Sequence, residues 1–223
     1  MYRCVVFDLD GTLLDTLEDL AQACNHTLAT LHLPTHPTEA YKTMVGNGVA
    51  KLVERMLPLQ NRGAATCQLA LHLFESYYTA HMNDFTRPYP GIPQLLQSLR
   101  EGGAVLGVLS NKPNGFVQQI VEQYFPGMFT AVMGQREDFA PKPDPASANF
   151  LLETLGAEKP DTLYCGDSNV DMLTAQNAGL TACGVLWGFR TKEELLGAGA
   201  NLLAEDAAAL EQIVFSGPLV QTL

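Results

Sequence analysis

Three apolar runs in this chain, Tyr2–Phe7, Ala104–Leu109 and Thr162–Cys165, each stop abruptly at polar residues. Short runs so rich in β-branched, aliphatic and aromatic side chains read as strands covered on both faces, as inside a parallel sheet. Helical patterns alternate with them: Ile92, Leu95, Leu96 and Leu99 precede the second run, and Phe116, Ile120 and Val121 follow it. Phe129–Met133, Thr181–Leu186 and Asn201–Leu203 suit further strands, with Leu210, Ile213 and Val214 on a closing helix. Asp144-Pro145 opens a helix with Asp as its cap and Pro in its first turn, and Gly179 stops the helix after the third run. This alternation predicts an α/β fold, a doubly wound, Rossmann-like parallel sheet. Such sheets bind ligands at the carboxyl ends of their strands, where the polar residues stand.

One stretch departs from the alternation. Leu17, Leu20, Ala21, Cys24, Leu28 and Leu31 fall on one helical face, with Thr16 and Asp19 placed as a capping pair. Pro34 and Pro37 break this helix, and only helical signals run from Thr38 to about Met82. Gly46-Asn47-Gly48 interrupts them; Val49, Leu52, Val53, Met56 and Leu57 then form one apolar face, and Leu69, Leu73, Tyr77 and Ala80 a second. Pro88-Tyr89-Pro90-Gly91 marks the return. The expected organisation is a core domain of residues 1–14 and 86–223, with a small all-helical cap domain, 15–85, inserted after the first strand.

A formal net charge of -11 disfavours nucleic acid and anionic membranes as partners, because both need basic surface. Five cysteines without a C-x-x-C pair suit reduced thiols, and neither a signal segment nor an apolar run of membrane-spanning length is visible. The expectation is a cytoplasmic monomer or homodimer. All five histidines lie in the helical stretch without metal-ligand spacing, which suits surface or packing roles.

The strand ends carry the chemistry. Asp8 and Asp10, one residue apart in an extended segment, project to one side, and their repulsion calls for a cation. Oxygen ligands favour a hard divalent ion, and Mg²⁺ is the usual choice where phosphate is handled. Gly11 then frees the backbone to turn. Asp8 is the candidate nucleophile, and Asp10 the group that protonates the leaving oxygen and then activates water. Thr12, Ser110 and Lys142 would hold phosphate oxygens, with Asn111 beside them. Asp167, Asp8 and the Asp10 carbonyl would hold the metal, and Asp171, four residues on, can point back toward it. Taken singly, each has a plainer reading: Asp-Gly as a turn, Ser110-Asn111 and Asp167-Ser168 as helix caps, Lys142 as a solvated loop residue. Those readings do not account for their coincidence at successive strand ends.

Asp8-Leu9-Asp10-Gly11-Thr12, Ser110-Asn111-Lys112, Lys142-Pro143 and Gly166-Asp167-Ser168 through Asp171 resemble the four motifs of the haloacid dehalogenase superfamily. The helical stretch resembles the cap of its phosphoglycolate phosphatase-like branch, and Val45-Gly46-Asn47-Gly48 with Leu52-Val53-Glu54-Arg55 is similar to a segment of that cap. The resemblance implies a Mg²⁺-dependent phosphomonoesterase acting on a small phosphorylated metabolite, with Gly46, Asn47 and Gly48 near the leaving group. Trp187-Gly188-Phe189-Arg190 departs from many relatives and leaves the rim open. A dehalogenase would have no use for Asp10, whereas a phosphomutase, a phosphatase of another metabolite and a noncatalytic binding module remain alternatives.

Overall fold

The computed structural model describes residues 1–218. In chain order the strands are β1 (Cys4–Phe7), β2 (Leu14–Asp15), β3 (Arg87–Pro88), β4 (Val105–Pro113), β5 (Ala131–Gln135), β6 (Thr162–Gly166), β7 (Thr181–Val185) and β8 (Leu202–Ala204). The helices are α1 (Leu17–Thr30), α2 (Val49–Met56), α3 (Ala64–His81), α4 (Ile92–Glu101), α5 (Asn114–Tyr124), α6 (Ala146–Leu155), α7 (Asn169–Ala178), α8 (Lys192–Gly197) and α9 (Ala207–Ser216).

Six strands form one parallel sheet in the order β5-β4-β1-β6-β7-β8. The expected α/β architecture is therefore present. β1 sits at the centre, its Val5 opposite Leu106 on one side and Leu163 on the other. Its four side chains are all buried, which is why the run carries no alternation of polar and apolar residues. The strand order reverses across β1, so its carboxyl end opens into the crevice where doubly wound sheets hold ligands.

Between β2 and β3 every regular element is helical, and α3 packs on both α1 and α2. β2 and β3 pair antiparallel, Leu14 with Pro88 and Asp15 with Arg87, so the chain leaves the sheet and returns to it through one short ribbon. No helix among the described residues is long and apolar enough to cross a membrane.

Local details differ from the sequence expectations. Thr16 and Asp19 do not form a capping pair: the Thr16 hydroxyl donates to Asp10 Oδ1 at 2.7 Å, and the Asp19 carboxylate accepts the Phe85 and Thr86 backbone N–H groups. Longer-range partners win because both side chains are buried at the β2–β3 ribbon. β4 runs past Leu109 to Pro113, through a register shift against β5, so Ser110, Asn111 and Lys112 are strand residues rather than the start of a helix. The second strand of that pair begins at Ala131, two residues later than the Phe129 expected. On α3 the buried face is Ala70, Phe74 and Tyr78, while Leu69 is 50% exposed. Apolar residues surround much of this helix, so its sequence admits more than one stripe. Helix α8 has no apolar pattern to signal it; it opens with a capping box in which Thr191 and Glu194 exchange bonds. Asp144 accepts the Ala146 N–H at 2.9 Å, one turn position away from the cap its sequence suggests.

Candidate active site

β1 delivers Asp8 into the crevice with its backbone N–H still bonded to Cys165 O of β6 at 2.9 Å, so the strand's ladder fixes its position. Lys142 Nζ lies 3.0 Å from Asp8 Oδ1 but off the direction of a hydrogen bond, and that buried oxygen has no hydrogen-bond partner among the described residues. The Lys142 ammonium is held elsewhere: by Asp171 Oδ1 at 2.7 Å, Leu109 O at 3.0 Å and the Tyr164 hydroxyl at 3.2 Å. Its backbone is fixed by Asn111, which accepts the Lys142 N–H and donates to the Lys142 carbonyl. A loop lysine is thereby turned inward and buried. Burial alone would pull its pKa down, but Asp171 and Asp8 together hold it well above its ordinary value.

Asp167, at the end of β6, accepts the Phe189 N–H at 2.7 Å and stands 3.4 Å from the Thr12 hydroxyl. Two glycines make that approach possible. Gly11, with φ +83°, and Gly188 both face the Asp167 side chain so closely that neither has room for a Cβ. Asp171 accepts from the Ser168 N–H and hydroxyl on Oδ2 and from Lys142 on Oδ1, so both its oxygens are engaged. Carboxylate oxygens of Asp8, Asp167 and Asp171 lie within 4.8 Å of one another, and all three residues are buried.

That clustering has a cost. Burial, then the Asp171 charge, raise the Asp8 carboxyl to about 7, with Lys142 offsetting part of the effect. Asp167 is raised well above the usual carboxylate range by burial and by Asp171 and Asp8. Asp10 makes a separate pair: Lys112 Nζ is 2.9 Å from its Oδ1 and 3.3 Å from its Oδ2. Against the desolvation that would lower it, Asp10 and Tyr78 hold the Lys112 ammonium above its ordinary value. Four carboxylates thus meet two ammonium groups, and a divalent cation would balance the difference. The all-oxygen donor set and the orphaned Asp8 Oδ1 fit a hard ion.

The crevice is roofed from the helical segment, enclosing a cavity of about 50 Å³. Asp8, Asp10, Ser110, Asn111 and Asp167 line it from the sheet side, and Gly46, Gly48, Leu52, Phe74 and Tyr78 from the helical side. Asn111 Nδ2 donates to Gly46 O at 3.0 Å across the two. Asn47 is turned away, its side-chain oxygen accepting from Arg55 at 2.8 Å. The segment left open by the sequence, Trp187–Arg190, proves to be a clamp: the Trp187 indole donates to Thr12 O, Phe189 to Asp167, and Arg190 to the carbonyls of Lys42 and Val45. Lys112, Tyr78, Thr16 and Arg190 are site residues that the sequence does not single out. Lys112 stands within one of the motifs, Thr16 reads locally as a cap and Arg190 as part of the open rim segment, whereas Tyr78 lies on an α3 face that spacing alone does not distinguish.

The family model described as haloacid dehalogenase-like hydrolase matches residues 5–185. The chain is 33% identical over 220 residues to a phosphoglycolate phosphatase of Mannheimia succiniciproducens, covering 96% of this chain and 98% of that protein. It is 34% identical over 213 residues to a phosphoglycolate phosphatase of Pseudomonas putida, covering 93% and 78%. Among solved structures, a candidate phosphoglycolate phosphatase from Lactobacillus delbrueckii aligns with a TM-score of 0.91 and 32% identity, over 96% of this chain and 98% of that one.

Proposed function

This chain belongs to the haloacid dehalogenase-like hydrolase family, and on that premise we propose that it is a Mg²⁺-dependent phosphomonoesterase working through an aspartyl-phosphate, with 2-phosphoglycolate as substrate. The observation that carries the reading is the meeting of Asp8, Asp10, Asp167 and Lys142 at the end of the central strand.

In this reading a carboxylate oxygen of Asp8 attacks phosphorus, forming the aspartyl-phosphate as the bond to the ester oxygen breaks. Asp10 gives that oxygen a proton, and the leaving group departs as an alcohol. Asp10 then takes a proton from water as the water attacks the phosphoryl group, releasing inorganic phosphate and restoring the Asp8 carboxylate. Lys142 and the Ser110 hydroxyl hold equatorial oxygens; Ser110 Oγ accepts the Lys112 N–H, which leaves its own proton for the phosphoryl group. Thr12, beside Asp167, completes that set. Asp8, Asp167 and the Asp10 carbonyl would hold Mg²⁺, which when bound supplies charge to neutralise the phosphoryl oxygens. Asp171 lies in reach of the same ion, and its bonds to Ser168 and Lys142 suit a role in holding the lysine.

Residues 15–85 act as a lid that excludes water during transfer. The names of the relatives favour a substrate of phosphoglycolate size over nucleotides or hexose phosphates. Gly46 and Gly48 bring the lid backbone to the cavity, while Asn47 serves the lid's own Arg55 contact. The five free cysteines suit a reducing compartment, and we assign the protein to the cytoplasm. The test is phosphate release from 2-phosphoglycolate, a nucleoside monophosphate, a hexose phosphate and an aryl phosphate, with and without Mg²⁺. Absence of release from every ester sinks the phosphatase reading, and a far higher kcat/KM for the larger esters sinks only the substrate.

A further inference from the structure

Tyr78 is a cavity-lining residue on the buried stripe of α3, 1% exposed, and its hydroxyl has no hydrogen-bond partner among the described residues. A buried, unpaired hydroxyl is disfavoured against a phenyl group of nearly the same shape, so nothing in the packing explains it. The ring fits there regardless: it stacks on Phe74 with centroids 5.3 Å apart and meets Phe116 edge-on at 5.4 Å. Burial raises the phenol to about 12, with the adjacent Lys112 ammonium offsetting part of the rise, and so keeps it a donor at neutral pH.

Its neighbour is the second relevant group. Lys112 Nζ lies 4.8 Å from the centroid of the Tyr78 ring and is bonded to Asp10, the candidate acid for the leaving oxygen. An ammonium has three donors, and the two oxygens of Asp10 use at most two of them. One cation and one hydroxyl therefore stand beside Asp10, in a lining where Leu20, Val49, Leu52 and Phe74 are apolar and Arg190, held by the Lys42 and Val45 carbonyls, is the other cation. An uncharged alcohol fragment would leave the Tyr78 hydroxyl unmatched and the remaining Lys112 donor unused.

We infer that the Tyr78 hydroxyl and the Lys112 ammonium form the subsite that receives a carboxylate on the substrate's leaving group, and so select acidic over neutral leaving groups. The inference rests on the phosphatase reading and deepens it. A site whose buried donors match a substrate oxygen discriminates strongly against the analogue lacking it, because the donors are then stranded.

The experiment compares 2-phosphoglycolate with ethyl phosphate, in which a methyl group replaces the carboxylate, on the wild type and on Tyr78→Phe. The ratio of the two kcat/KM values is expected to favour phosphoglycolate in the wild type and to fall by about 10- to 100-fold in Tyr78→Phe, the span of one hydrogen bond to a charged group. The Tm of ligand-free Tyr78→Phe is expected to equal or exceed that of the wild type, since the hydroxyl removed has no partner in the fold. An unchanged ratio, or equal loss on both esters, overturns the subsite while leaving the phosphatase standing. A marked fall in Tm shows the hydroxyl to be a structural group and also overturns it. A wild type inactive on both esters removes the phosphatase reading itself.

Discussion

Lys112 Nζ sits 2.9 Å from Asp10 Oδ1, inside a pair whose lysine side chain is 5% exposed and whose aspartate is 12% exposed. Removing one member of such a pair strands the other's charge. Lys112→Met is therefore expected to destabilise the fold by about 3–5 kcal/mol, and Lys112→Met with Asp10→Asn to recover part of that loss. Urea unfolding of the two single variants and the double variant measures the coupling; additive losses would show that the contact carries no stability.

Asp8→Asn separates chemistry from folding. An amide cannot form the aspartyl-phosphate, so turnover should vanish, while loss of a charge that burial and Asp171 disfavour should raise the Tm of the metal-free protein. Phosphate release and a thermal melt on the same pure sample test both. Retained turnover would reassign the nucleophile, and a lower Tm would show that the charge helps the fold.

The raised Asp8 carboxyl gives a pH dependence whose sign follows from linkage. Its value is about 7 in the folded chain against 3.8 for an unperturbed aspartate, so between those limits the folded state binds the extra proton. Stability contributed by this group is complete below about 3.8 and is lost as pH rises through about 7. Metal-free protein should thus lose stability across that window, and added Mg²⁺ should restore more of it at pH 8 than at pH 5, because protons compete for the same oxygens. Thermal melts across pH, with and without Mg²⁺, measure this; a Mg²⁺ effect larger at pH 5 contradicts it. In assays Ca²⁺ should replace Mg²⁺ poorly, owing to its longer and looser coordination.

Arg190 bridges the segment after β7 to the carbonyls of Lys42 and Val45. Arg190→Gln should loosen that clamp, raising KM for a small substrate by about tenfold, the equivalent of about 1.4 kcal/mol, with a smaller effect on kcat. It should also speed limited proteolysis near residues 42–48. Unchanged KM and proteolysis would mean that Asn111–Gly46 holds the roof alone.

The sheet was legible because burial on both faces leaves a plain signature: Val5, Val6 and Phe7 could be little else than a central strand. Asp8, Asp10, Ser110, Lys142 and Asp167 could be gathered because strand ends in such a sheet share one crevice. What escaped depends on side-chain direction or distant partners. The sequence pattern ends the strand at Leu109, because polar residues rarely continue a buried strand, yet Ser110–Lys112 carry it on and each side chain finds a partner in the site. Thr16 and Asp19 had local capping as a plausible use until Asp10 and the Phe85–Thr86 backbone took them. Tyr78 was hidden by a helix with apolar residues on several sides, where spacing alone cannot say which stripe faces inward.

The β2–β3 ribbon has a mechanical corollary. A body joined to another at two separated points is braced, whereas one joined through two adjacent, mutually paired strands is free to swing about them and constrained in little else. Leu14–Asp15 and Arg87–Pro88 make the second kind of joint, so once the Arg190 and Asn111 bonds across the crevice open, rotation about the ribbon is the motion that keeps its pairing intact. Such an opening would carry the edge farthest from the ribbon along the widest arc and leave the residues beside it, Thr16 and Asp19, nearly in place.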